Sequence, residues 1–118
     1  MEARRALRSN RTTVEFILLL TMTSRNYYNE TEEGKLFNIR VGMERLESVL
    51  RNYLRAGDVV SRYSDNQFVV LLSTCKEEHA VRVGRRILET LFQQYSDKKV
   101  KLRCELLTEG NKAITISE

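Results

Sequence analysis

Leu54-Arg55-Ala56-Gly57-Asp58-Val59-Val60-Ser61-Arg62-Tyr63-Ser64-Asp65-Asn66-Gln67-Phe68-Val69-Val70-Leu71-Leu72 is the stretch whose reading decides the architecture. Two runs rich in β-branched and aromatic residues, Val59 to Tyr63 and Gln67 to Leu72, flank the polar Ser64-Asp65-Asn66, and that composition predicts a β-hairpin. Upstream, from about Lys35 to Leu54, Leu36, Ile39, Met43, Leu46, Val49, Leu50, Tyr53 and Leu54 recur at steps of three and four, which predicts an amphipathic helix. Downstream, Ser73 and Thr74 offer capping hydroxyls, and Glu77 and Glu78 suit the positive end of a second helix. Its stripe is Ala80, Val83, Ile87, Leu88, Leu91 and Phe92, and its end falls near Tyr95.

Moving outward, Val14 to Leu20 is a short, almost wholly apolar run, as expected of a central strand covered on both faces, and the polar stretch from Thr21 to Glu33 reads as a long connection. After the polar turn Ser96 to Lys99, Val100 to Leu106 alternates apolar and charged residues, the pattern of a strand with one exposed face near a sheet edge. Lys112 to Ser117 adds a short last strand. The order β-α-β-β-α-β predicts an α+β, ferredoxin-like sandwich in which helices cover mainly one face of an antiparallel sheet.

A chain of 118 residues with 42% apolar content fills one core. Lys and Arg number 20 against 16 Asp and Glu, and the two signs are interspersed as on an ordinary solvated surface. Arg4, Arg5, Arg8 and Arg11 make the one locally basic stretch. Residues 1–12 read as a helix end or linker from an upstream domain, residues 13–118 as the domain itself, and direct DNA contact is not expected of it. Cys75 and Cys104 adjoin apolar runs and lack metal-ligand spacing, as reduced core thiols of a cytoplasmic protein do. The run from Val14 is far short of the ~20 residues a membrane helix needs, and no signal peptide precedes it, so no membrane partner is expected.

Single residues narrow the chemistry further. His79, the only histidine, has no serine, cysteine or carboxylate placed convincingly beside it and reads as an exposed surface residue. Val69 to Leu72 lack the aromatic platform of an RNA reader. Phe16, Phe37, Phe92, Met22 and Met43 are assigned to the core, and Tyr27-Tyr28 to packing on the sheet edge.

The opening stretch resembles the central signature of diguanylate cyclases, R-x-x-D-x-x-x-R-Y-G-G-D-E-F followed by an apolar strand, in frame and without a gap. In that frame Ser64 and Asp65 stand where the family has two glycines, Asn66 and Gln67 replace the acidic pair, and Phe68 is retained. Leu18 to Thr23 is similar to the family's first strand, whose acidic residues help hold two magnesium ions; here both positions are threonines, Thr21 and Thr23. By counting, Arg40 stands at a base-contacting Asp of the family and Asn29 at a base-contacting Asn. The resemblance implies a nucleotide-cyclase-type palm from which the metal site and catalysis are missing, with no cofactor and no resident metal.

Arg55-x-x-Asp58 keeps the spacing of the family's inhibitory cyclic di-GMP site. An Arg fork can grip phosphate or guanine edges and a carboxylate can accept from guanine. The same pair also reads as helix-end compensation and a turn cap. Along most of residues 2 to 108 the chain resembles the degenerate GGDEF-like domain at the C-terminus of Firmicute transcriptional regulators that carry a bacterial transcriptional activator domain. That resemblance implies a non-catalytic regulatory domain in bacterial signal transduction, whose candidate partners are other domains of a parent regulator, a second copy and a cyclic dinucleotide.

Overall fold

Strand β1 (Phe16–Ser24) is built from a run in which Phe16, Leu18, Leu20 and Met22 are all buried. The computed structural model describes residues 16–25, 31–73, 76–95, 99–108 and 112–117; the proposed boundary at residue 12, Asn29 and the Tyr27-Tyr28 pair lie outside them. Helix α1 (Glu32–Tyr53) starts at Thr31, whose Oγ1 accepts from the Gly34 amide at 3.0 Å, with Glu32 and Glu33 in its positive first turn. Strands β2 (Val59–Ser64) and β3 (Gln67–Leu72) form the expected hairpin, helix α2 (Glu77–Gln94) follows, and β4 (Val100–Thr108) and β5 (Ala113–Ile116) close the chain.

The five strands lie in the order β2-β3-β1-β4-β5, and every neighbouring pair is antiparallel. This is the α+β arrangement expected, with a fifth strand added at one edge. Both helices pack over the face that carries Leu18, Leu20, Val70, Leu102, Cys104 and Leu106, and their contribution to the core includes Met43, Leu46, Leu50, Ala80, Ile87 and Leu91. No helix among the described residues is long and apolar enough to cross a membrane.

Several expectations are corrected. The stretch from Thr21 is not all connection: β1 continues to Ser24 because Thr21 to Ser24 pair with Arg103 to Val100 of β4. With β5 on its other side, β4 lies one strand in from the sheet edge, as its pattern of one exposed face near an edge predicted. Leu36 and Phe37 are 62% and 60% exposed. Helix α1 packs on the core from Ile39 onward, and at Gly42 it lies close to Met22 and Val100. Tyr53 is also exposed, and α2 is capped at Lys76 with no side-chain hydrogen bond rather than by Ser73. On the face away from the helices Ile17, Leu19, Val69, Leu71 and Leu107 are half-buried, and no described helix covers them.

Helix α2 sits close on the sheet because Gly84 has no side chain. A Cβ there would lie 2.5 Å from Ile116 Cδ1 and 3.1 Å from Cys104 Sγ. Gly84→Val should therefore overpack the core by about 1–3 kcal/mol, seen as a lower urea midpoint with unchanged slope; an unchanged midpoint would contradict this seating. Burial, aided by Glu105, pushes the Cys104 thiol from 9.0 up to about 12. A raised folded value gives stability that is complete below about pH 9 and is lost as pH rises toward 12. With Cys75 replaced by Ser, Cys104 should resist a thiol reagent in mildly alkaline buffer until the chain is unfolded; rapid labelling of the native protein would show the site to be open.

Candidate functional site

The hairpin turn is tied to β1 by neutral groups. Backbone Met22 N donates to Asn66 O at 2.8 Å, and Asn66 Nδ2 donates to Met22 O at 3.0 Å. Gln67 Nε2 donates to Thr21 Oγ1 at 3.2 Å, and Thr21 is buried. Ser64 Oγ lies 2.9 Å from Gln67 Oε1 and 3.0 Å from Asn66 Oδ1, its one proton serving either acceptor, and it accepts from the Asn66 amide at 3.4 Å. Arg62 folds back over the turn, donating from Nε to Ser64 O and from Nη2 to Asp65 O, with its guanidinium 5.9 Å from the Phe68 ring. Phe68 is core, and Asp65 is exposed.

Cross-strand register fixes what faces the two threonines. Thr21 is paired with Gln67 on one side and Arg103 on the other, and Thr23 is paired with Lys101. Residues directly opposite in adjacent strands share a face, so a cation at Thr21 and Thr23 would meet the like charges of Arg103 and Lys101. Among the described residues no three of His, Cys, Asp and Glu come together to hold a metal ion.

The Arg55-x-x-Asp58 segment is a brace. Asp58 Oδ2 accepts from the Arg55 amide at 3.0 Å while the Asp58 amide donates to Arg55 O at 3.0 Å, a reciprocal pair across the turn that follows α1. Asp58 Oδ1 accepts from both Ser73 N and Ser73 Oγ at 2.9 Å, which ties the start of β2 to the end of β3. Gly57 sits close inside this brace: a Cβ there would lie 2.9 Å from Ser73 Oγ, so the serine side chain would have to shift.

Beside the brace lies a cavity of about 80 Å³, lined in part by Arg55, Asp58, Ser73, His79, Arg82 and Arg86. A shallower groove adjoins it and shares Arg55, His79 and Arg82, with Lys76 and Glu78 on its rim. His79, expected on the open surface, is half-buried here. Arg82 and Arg86 were not singled out from sequence. The spacing 79, 82, 86 on one helical stripe is legible in the chain, but which element that stripe faces is not.

The sequence profile described as "Diguanylate cyclase, GGDEF domain" matches residues 39–107, more than half of the chain. The chain belongs to the GGDEF domain family. The match runs from α1 through the hairpin to β4 and so contains both the turn and the brace. No curated protein matches the sequence. Among solved structures, the GGDEF domain of TpbB (YfiN) from Pseudomonas aeruginosa is similar, with a TM-score of 0.59 at 20% identity. The match covers 92% of this chain and 65% of that one. At that identity the likeness is one of fold, and it places this GGDEF domain on the palm architecture expected.

The brace generates a measurable cost. Asp58→Ala leaves two backbone amides and a hydroxyl without their acceptor and should lower stability by about 2 kcal/mol in denaturant unfolding. A loss below about 0.5 kcal/mol, the range of ordinary surface substitutions, would show that the carboxylate does not hold the hairpin to the helix.

Proposed function

We propose that this GGDEF domain is a non-catalytic regulatory and interaction module of a bacterial signalling protein, in the setting of a transcriptional regulator. The observation that carries the reading is the turn: Asn66 and Gln67 spend their amides on Met22 O and Thr21 Oγ1, and Arg103 and Lys101 flank the two threonines. Joining two GTP molecules needs divalent cations to offset triphosphate charge and activate a hydroxyl, and Mg²⁺ is held by anionic oxygens in near-octahedral geometry. Neutral amides and hydroxyls already bonded to one another do not supply that field. Asp65 brings one carboxylate, on the exposed side of the turn, and a two-metal site needs several.

Loss of metal assistance removes several kcal/mol of transition-state stabilisation, and each ~1.4 kcal/mol is tenfold in rate. Incubation of the purified domain with GTP and Mg²⁺ or Mn²⁺, analysed by chromatography, should therefore give no cyclic di-GMP above a protein-free control. Product formation that tracks enzyme concentration and is abolished by chelation would overturn the reading.

A second reading, that of a receptor for cyclic di-GMP or another nucleotide, is favoured by one observation. Arg55 opens onto the same cavity as His79, Arg82 and Arg86, a concentration of positive charge matched to phosphate.

A further inference from the structure

We infer that the free edge of β2 pairs with the β2 edge of a second copy of this domain, antiparallel and centred on Ser61, so that the two sheets run on as one. The inference rests on the reading of the domain as an interaction module and names the partner.

The phase of the backbone hydrogen bonds sets what this edge offers. Met22 N donates to Asn66 O, just before β3, and Arg25 N donates to Lys99 O, just before β4. Residues of β1 in step with Met22 therefore bond towards β3, and those in step with Arg25 bond towards β4. Alternation carries the phase across the sheet. Phe68, Val70 and Leu72 bond back to β1, while Val69 and Leu71 bond to their β2 partners Ser61 and Val59. The amides and carbonyls of Val60 and Arg62 are left pointing away from the sheet, on a side where no described strand lies.

Little in β2 guards that edge. Val59 to Tyr63 are all exposed, and the strand holds no proline, glycine or lysine. Its one charge, Arg62, is folded back on Ser64 O and Asp65 O. Sheets commonly blunt a free edge with charge, proline or a bulge, and here the bulge lies past Arg62 at the turn. The opposite edge, β5, is four residues long and exposes Ala113 and Thr115 while Ile114 and Ile116 are covered.

The same geometry selects the occupant. Outward groups bond only outward groups, so Val60 and Arg62 of one strand must face Val60 and Arg62 of the other. Centred on Ser61, a second copy sets Val60 opposite Arg62 twice and uses every one of these groups. Centred on Val60, it would set Arg62 opposite Asp58, whose amide is already given to Arg55 O. Centred on Arg62, it would set like charges face to face. The Ser61 register also lays Val59, 45% exposed, opposite Tyr63, 70% exposed, at both ends of the seam, an aromatic pair with a β-branched residue. A strand that matches itself about one residue makes a closed two-fold interface.

Sedimentation velocity of the 118-residue chain over a range of concentrations tests this. A single strand pair is a small interface, so the expected mass rises with concentration from 13.8 kDa towards twice that value and no further. Val60→Pro removes an outward N–H and no bond of the β2–β3 ladder, and should hold the chain monomeric with its circular dichroism unchanged. A second arm does not depend on how the proline variant folds. At the centre of the seam Ser61 meets Ser61 with Cα atoms about 4.5 Å apart, within reach of a disulfide. With Cys75 replaced by Ser, Ser61→Cys should give a disulfide-linked dimer in a glutathione redox buffer, and the adjacent Val60→Cys should not. A monomer at every concentration would overturn the inference, as would a dimer that Val60→Pro leaves intact or that Val60→Cys links as readily as Ser61→Cys. Mass growing past the dimer would mark head-to-tail pairing of β2 on β5 and would overturn it too. Each of these results leaves the non-catalytic reading standing, since GTP turnover decides that separately.

Discussion

Everything near the turn depends on the register of β1 against β3 and β4. Pairing Leu18 with Val70 and Leu106 buries three apolar side chains on the helix side, and a slip of one residue would send that whole set to the other face. Once that register is fixed, Thr21 must lie beside Gln67 and Arg103, and Thr23 beside Lys101. The chemistry available at the top of β1 is therefore set by packing at its middle. In this chain the packing is that of a GGDEF domain, while the groups it brings together are amides, hydroxyls and cations.

The Asp58 brace shows a similar division between scaffold and chemistry. The Arg-x-x-Asp spacing serves the fold through backbone groups: the Arg55 amide and carbonyl bond the Asp58 carboxylate and amide across the turn. The Arg55 side chain takes no part in these bonds, and the residue lines the neighbouring cavity. The two readings open at the sequence level thus fall on different atoms of the motif. Capping belongs to Asp58 and to main-chain groups, and whatever ligand function exists belongs to guanidinium groups.

Much of the fold was legible because periodicity reports burial. The hairpin, the helix through Met43, Leu46, Val49 and Leu50, and the alternation of Val100 to Leu106 follow from patterns of period two and 3.6. What was not legible came from tertiary placement. Leu36 and Phe37 continue the apolar helical pattern, yet tertiary placement leaves both exposed. The run Thr21 to Ser24, polar but for Met22, reads as a connection until β4 supplies partners for its backbone. Of the candidate site, the neutral turn could be seen in the letters. The convergence of Arg82 and Arg86 on Arg55 could not, since it requires knowing that the first turns of α2 lie against the end of α1.

The central claim is that hydrogen bonds between the turn and β1 stand where a GGDEF enzyme would keep divalent cations. Titration of the domain with Mn²⁺, followed by loss of the free-ion electron paramagnetic resonance signal, tests it without reference to any product. The account predicts a free-ion signal that rises in proportion to added metal, with and without GTP beyond what GTP itself chelates. Saturable, stoichiometric uptake of Mn²⁺ by the protein, weakened when Asp65 is replaced by Asn, would contradict it.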